Sequence, residues 1–259
     1  MTVSLPETFD AYVPSNLKAL FQLARLIPTY VSFDTLQEAV PLDAEHASSF
    51  DYSKELVPHE GFIHSIRCFY FALGILYSGF PSNTPGVPQI ATNELIQRLY
   101  HTALLHDLGW TDKPEGLNHP AHAMTFELHG GIMAFEHLQA QAPSLDAKQV
   151  ADIVQSIVLH TIGPDWASGT SSATAMLMSL SAWFDVGGYD IEGPDSRDFM
   201  IHRETVREVE AAYPRGQFAA EATEIFGNEF KNKPDCLLSH YPGAPGNFSK
   251  VLRVDPIVE

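Results

Sequence analysis

Residues 92–109 read TNELIQRLYHTALLHDLG, and this stretch decides the fold class. Its apolar positions recur at helical spacing, which predicts an amphipathic helix facing a core. Thr92 is expected to cap the start of this helix, and Gly109 is expected to end it. His106 and Asp107 therefore place an imidazole and a carboxylate side by side at the end of a core-facing helix.

The rest of the chain repeats this helical pattern. A helix is predicted from Glu60 to the turn residues at 79–81, and an earlier amphipathic stretch covers residues 17–27. Later helices are predicted at 126–139, from a Ser144 cap to His160 before Gly163-Pro164, at 173–184 leading to Asp185, at 200–213 and at 219–230. No internal repeat and no convincing strand alternation is found. The sequence therefore predicts an all-α protein, a helical bundle with a metal site at its centre.

Length and charge narrow the range of partners. A chain of 259 residues with 45% hydrophobic content predicts one globular domain with additions. Its formal net charge of -17 argues against nucleic acid and against an anionic membrane surface, which leaves a small-molecule substrate and a possible homo-oligomer. The start of the chain has no basic patch and no apolar signal core, so a cytoplasmic location is expected.

Three regions are expected along the chain. An N-terminal arm or lid is expected over residues 1–58, and the helical metal-binding domain over residues 59–215. An extension packed on the same domain is expected over residues 216–259. Two cysteines, Cys68 and Cys236, are too few for a disulfide framework or a thiolate metal site, and packing roles are expected for both.

Twelve histidines are the chemical signal of the composition, since neutral imidazole is a common metal ligand. A histidine on the preceding helix, His64, and an aspartate on a later helix, Asp185, flank the pair His106-Asp107. Four nitrogen and oxygen ligands from three helices suit zinc, iron or manganese, with a position left open for water.

These residues resemble the HD-domain superfamily, whose metal ligands follow the order His, His-Asp, Asp. The resemblance is more specific to the fungal cyanamide hydratase family and runs over about residues 58–215. The stretches that carry it are His64-Ser65-Ile66-Arg67, Leu104-Leu105-His106-Asp107-Leu108, Thr111-Asp112-Lys113, Met124-Thr125-Phe126-Glu127 followed by Gly130-Gly131-Ile132, Phe184-Asp185, Ile201-His202, Thr205-Val206 and Tyr213-Pro214-Arg215.

The resemblance implies a zinc-type ion on His64, His106, Asp107 and Asp185, and addition of metal-activated water to cyanamide to give urea. A proton donor for the nitrile nitrogen is also needed. The candidates by resemblance and position are Lys113, Asp112, Glu127 and His160. Lys113 and Glu127 could instead form an ordinary ion pair, and Arg67 could orient Asp107 or Asp185 or be an exposed charge.

Two departures from the family pattern keep an alternative open. Leu128-His129 replaces an expected aromatic pair, and His160-Thr161 replaces His-Gln-Asp, with the nearest acid at Asp165. With His129 and His160 added, the chain follows the ligand order of dinuclear HD proteins, which include diiron oxygenases that cleave C-C or C-P bonds. A phosphohydrolase is disfavoured because few basic residues lie near the predicted site, and a helical binding protein with a structural metal is the non-enzymatic alternative.

Overall fold

The computed structural model describes residues 4–161, 169–240 and 252–258, so Gly163, Pro164 and Asp165 lie outside the described residues. Within the described part of the chain there are eleven α-helices. They are α1 (Leu17–Ala24), α2 (Phe33–Gln37), α3 (Ala44–Leu56), α4 (His59–Gly79), α5 (Thr92–Leu105), α6 (Pro114–Leu117), α7 (Phe126–Gln141), α8 (Ala147–Leu159), α9 (Ala173–Gly187), α10 (Arg203–Ala212) and α11 (Phe218–Asn232). This confirms the predicted all-α fold. None of the described helices is long and apolar enough to cross a bilayer.

The centre of the bundle is α4, which is buried along most of its length. It packs on α9 and α5, while α8 packs on α7, α9 and α5. The first residue of the main hydrophobic core along the chain is Phe9 and the last is Ile257. Parts of all three predicted regions therefore contribute to one core. Because α4, α5, α8 and α9 are neighbours in this core, their polar side chains are brought together in a water-poor interior.

The predicted end of α5 at Gly109 is wrong, and Gly109 instead allows a close backbone contact. The helix α5 ends at Leu105, and residues Leu108–Trp110 continue as a 3₁₀ helix. A Cβ atom at Gly109 would lie 2.1 Å from the carbonyl oxygen of Phe126 at the start of α7. Glycine is therefore required here, because any side chain would separate the His106-Asp107 turn from α7.

Two predicted caps are wrong. The residue before α5 is Ala91, and the Thr92 hydroxyl donates instead to the carbonyl oxygen of Pro6. The eighth helix begins after Asp146, whose carboxylate accepts from two backbone amides in a capping box with Gln149. Ser144 donates to Glu45 on α3, so its polar groups serve a tertiary contact and not a cap.

The N-terminal region is more structured than the sequence pattern indicates. Beside the predicted amphipathic helix it holds α2 and α3, and α3 packs on α5. Four short strands also form two antiparallel pairs, which the sequence pattern does not predict because three residues are too few to show an alternating period. They are β1 (Thr8–Asp10) with β3 (Gln89–Ala91) and β2 (Tyr12–Pro14) with β4 (Thr170–Ser172).

Candidate metal centre

Four helices deliver the residues of the predicted site. His64 lies on α4, His106 and Asp107 follow the end of α5, His160 follows the end of α8, and Asp185 lies near the end of α9. All five side chains are buried, with at most 4% of each residue exposed. The structure therefore places every predicted metal ligand, together with His160, in the interior of the bundle.

The outer nitrogens of the three imidazole rings are hydrogen-bonded. Nδ1 of His106 lies 2.7 Å from the carbonyl oxygen of Ala103, and Nδ1 of His160 lies 2.6 Å from that of Ile157. A carbonyl oxygen only accepts, so Nδ1 carries the proton in both rings. Nδ1 of His64 donates in the same way to Asp185, over 2.5 Å. Each ring therefore presents its Nε2 lone pair on the opposite side.

These Nε2 atoms converge on Asp107. Nε2 of His106 lies 3.3 Å from Nε2 of His64 and 3.2 Å from Oδ2 of Asp107. Oδ2 is also 3.8 Å from Nε2 of His64, and Nε2 of His160 is 3.8 Å from Oδ1 of Asp107. The buried Oδ2 atom has no hydrogen-bond partner among the described residues. A cation between them would stabilise lone pairs that face one another in a dry interior, so this donor set fits a bound metal ion.

Burial sets the protonation of these groups. It lowers the pKa of His64 and His106, and it lowers the pKa of His160 to about 4, so the imidazoles stay neutral at pH 7. Burial raises the pKa of Asp107, and the nearby Glu127 carboxylate raises it further. Neutral imidazoles are the form that binds metals, and a cation beside Asp107 would favour its ionised form.

Asp185 lies behind His64 and is held by two arginines. Arg67 binds both of its carboxylate oxygens, at 2.7 and 2.9 Å, and Arg215 donates to Oδ1 at 3.0 Å and to the backbone oxygen at 2.7 Å. These guanidinium groups hold the pKa of Asp185 well below its ordinary value although burial opposes them. Glu210, 3.4 Å from Arg215, balances the second positive charge. Asp185 is thus an anion whose contact with the cluster runs through Nδ1 of His64.

The sequence interpretation missed Cys68 and Arg215 as members of this site. The Sγ atom of Cys68 lies 3.6 Å from both ring nitrogens of His64, and with His64 and His106 it forms a group within metal-ligand reach. Burial raises the pKa of this thiol well above its ordinary value. Its position four residues after His64, on the same helix face, was the available signal. Arg215 is too far away in sequence for any spacing rule to connect it to Asp185.

The predicted catalytic candidates fall into two groups. Asp112 and Lys113 pair with each other at 2.9 Å, and their side chains are 65% and 48% exposed, away from the buried cluster. Glu127 is buried, and it accepts hydrogen bonds from the hydroxyls of Thr125 and Thr161 and forms no ion pair with Lys113. The structure therefore brings Glu127 and His160, but not Asp112 or Lys113, towards the candidate metal centre.

The predicted second-metal ligand His129 has other neighbours. Its ring lies 5.3 Å from that of His119 and 5.4 Å from that of His122, and both of its nitrogens are buried without a partner among the described residues. The two groups within ligand reach in the described chain are His64, Cys68 and His106, and His106, Asp107 and His160. His129 is in neither group, and the dinuclear alternative is not favoured.

A small cavity opens beside the cluster. Its volume is about 50 Å³, which is room for roughly three or four water-sized groups. Trp110, which lines it, has a buried indole Nε1 without a hydrogen-bond partner in the described part of the chain. The described lining consists of His64, Asp107, Trp110, Phe126, His160, Thr161, Ala182, Trp183, Val186, Phe226 and Leu252. The cavity therefore suits a small uncharged molecule in contact with the histidine–aspartate cluster.

Fold and site together define an all-helical protein with a buried histidine–aspartate cluster suited to a metal ion. Among curated proteins, the chain is similar to the cyanamide hydratases DDI2 and DDI3 of Saccharomyces cerevisiae, with 26% identity to each over 188 residues. The alignment covers 72% of this chain and 72% of each relative. No family model matches the chain. This homology supports a relationship to the cyanamide hydratases and agrees with the resemblance seen in the sequence motifs.

Proposed function

We propose that this protein is a metal-dependent hydratase that adds water to a small nitrile of the cyanamide type, giving urea from cyanamide. The observation that carries the proposal is the convergence of three Nε2 lone pairs and the Asp107 carboxylate at a cavity of about 50 Å³. The similarity to two cyanamide hydratases supports the choice of reaction.

The four predicted ligands take two roles in this proposal. His64, His106 and Asp107 hold the metal, and Asp185 fixes the ring of His64 through Nδ1, as carboxylates behind metal-bound histidines commonly do. Three protein ligands of nitrogen and oxygen type would suit catalytic zinc, while iron is the alternative. When bound, such a cation supplies Lewis acidity, which makes water a better nucleophile near neutral pH.

His160 is proposed to move the proton. Hydration of a nitrile forms a carbon–oxygen bond, breaks one carbon–nitrogen π bond and transfers a proton from water to nitrogen, which gives isourea from cyanamide. Transfer of the second proton from oxygen to nitrogen then gives urea. Nε2 of His160 carries a free lone pair, because Nδ1 donates to Ile157, and His160 lines the cavity. It can therefore take the proton from the attacking water and return it to the nitrogen.

The apolar side chains of the cavity explain why the substrate should be uncharged. Burying an ion without a partner is costly, and the two buried arginines near the site are already committed to Asp185. A charged phosphate or carboxylate substrate would find no free cation among the described lining residues. A neutral nitrile avoids this cost.

The test is urea formation from cyanamide by metal-loaded protein, measured together with metal content by elemental analysis. We expect about one zinc or iron per chain, and loss of both metal and activity in His106→Ala. His59→Ala is the matched control, because His59 is exposed at the start of the same helix that carries His64. Fully metal-loaded protein that forms no urea, and hydrates no other small nitrile, would contradict the proposal.

A further inference from the structure

Thr161 differs from the other described residues of the cavity wall, because it adds a hydroxyl to a lining of aromatic, aliphatic and candidate metal-site side chains. It follows His160 directly in the sequence, and both residues line the cavity. Thr161 is half-buried, and the hydrogen bonds of its hydroxyl determine what it offers to a ligand.

Glu127 fixes that role. The Thr161 hydroxyl donates to Oε1 of Glu127, and the Thr125 hydroxyl donates to Oε2. Each carboxylate oxygen thus accepts from one hydroxyl; burial raises the pKa of Glu127, and these two hydrogen bonds oppose that shift by favouring the ionised form. A hydroxyl has one proton and two lone pairs. Since the proton of Thr161 is used towards Glu127, its oxygen can only accept from a further group, and Thr161 lines the cavity.

We propose that Thr161, oriented by Glu127, accepts a hydrogen bond from an N–H group of the substrate and so selects nitriles that carry an amino substituent. This inference rests on the proposed function and names the substrate class of that same site. Cyanamide, with an amino group on the nitrile carbon, satisfies the acceptor. Acetonitrile is similar in size but carries a methyl group, which leaves the Thr161 lone pairs without a partner.

Thr161 contacts the substrate in this proposal, whereas Glu127 is a positioning residue. A glutamine at position 127 would present an amide donor to one of the two threonines. If that donor faces Thr161, the hydroxyl must accept from it and turn its own proton towards the cavity. Glu127→Gln is therefore expected to weaken selection of amino nitriles without removing the hydroxyl itself.

The experiment compares cyanamide turnover with inhibition by acetonitrile in the metal-loaded enzyme. Thr161→Val removes the acceptor at nearly constant volume, and we expect kcat/KM for cyanamide to fall about 3- to 10-fold, mainly through KM, as for loss of one neutral hydrogen bond. The inhibition constant of acetonitrile should stay the same or decrease. Thr161→Ser keeps the hydroxyl and should retain the preference for cyanamide.

Equal effects of Thr161→Val on cyanamide and acetonitrile would overturn the inference while leaving the hydratase proposal intact. Absence of cyanamide hydration in the metal-loaded wild-type enzyme would instead contradict the proposed function itself. Metal content and the melting temperature are measured for each variant. If the valine variant does not fold, Thr161→Ala removes the same acceptor: a loss of cyanamide preference in it supports the inference, and an unchanged preference contradicts it.

Discussion

Nδ1 of His64 lies 2.5 Å from Oδ2 of Asp185, so the aspartate holds the histidine from the side opposite its Nε2 atom. Arg67 and Arg215 fix the carboxylate in turn. The orientation of one proposed metal ligand thus depends on three charged groups that lie behind it. Each of these groups is buried, with at most 4% of the residue exposed.

Asp185→Asn is expected to weaken metal binding by about 10- to 100-fold and not to abolish it, as found for residues that orient metal ligands. The free energy of unfolding should also fall, by about 3 kcal/mol, because two buried guanidinium groups lose their anion. Metal titration and urea unfolding measure the two effects. Complete loss of metal at saturating concentration, as expected for Asp107→Ala, would instead show that Asp185 is itself a ligand.

His160→Gln is expected to keep the metal but to lower kcat for cyanamide by about 100-fold or more, because the variant removes the proposed proton carrier. Elemental analysis and initial rates measure these quantities on the same sample. His59→Ala again serves as the control. If the glutamine variant loses its metal, His160 belongs to the ligand set.

Ala182→Leu is expected to fill part of the cavity, since Ala182 is buried in its wall. We expect kcat/KM for cyanamide to fall about tenfold or more, the effect of a barrier change of roughly 1.4 kcal/mol, with metal content unchanged. Ala212→Leu, at an exposed position near the end of α10, is the matched control. Unchanged kinetics in Ala182→Leu would show that the substrate binds elsewhere.

His101 is expected to make the free energy of unfolding depend on pH. It lies on α5 and is fully buried against α3, where its Nδ1 bonds to Ser49 and its ring stacks on His46. Burial lowers the pKa of His101 to about 3. The unfolded chain takes up this proton near pH 6.5 and the folded protein does not, so stability is lost as the pH falls from about 6.5 towards 3.

His101→Gln should remove part of that loss, about 2 kcal/mol between pH 7 and pH 4.5. The measurement is the free energy of unfolding in urea at both pH values for the variant, the wild type and His59→Gln. The difference between the two pH values is compared, so that a lost Ser49 hydrogen bond does not affect the result. An equal difference in all three proteins would contradict the assignment.

The sequence determined the helical class and most of the helices, because the 3.6-residue apolar period of a helix can be read from its own residues. The helices that it packs against need not be known. It also marked His64, His106, Asp107, His160 and Asp185, since each follows or interrupts an apolar helical stripe. Caps were less predictable. Thr92 and Ser144 are suitable caps by type, yet tertiary acceptors on Pro6 and Glu45 use their hydroxyls.

Only the tertiary structure decided how these residues divide their roles. Which ring nitrogen faces the cluster depends on the acceptor behind it, and the partners of Asp185 are 118 and 30 residues away along the chain. The separation of Lys113 and Asp112 from the buried cluster, and the meeting of Glu127 with Thr161, likewise follow from the packing of helices. Spacing along a chain specifies which face of a helix a side chain occupies, whereas hydrogen-bond direction and burial arise only when several faces meet.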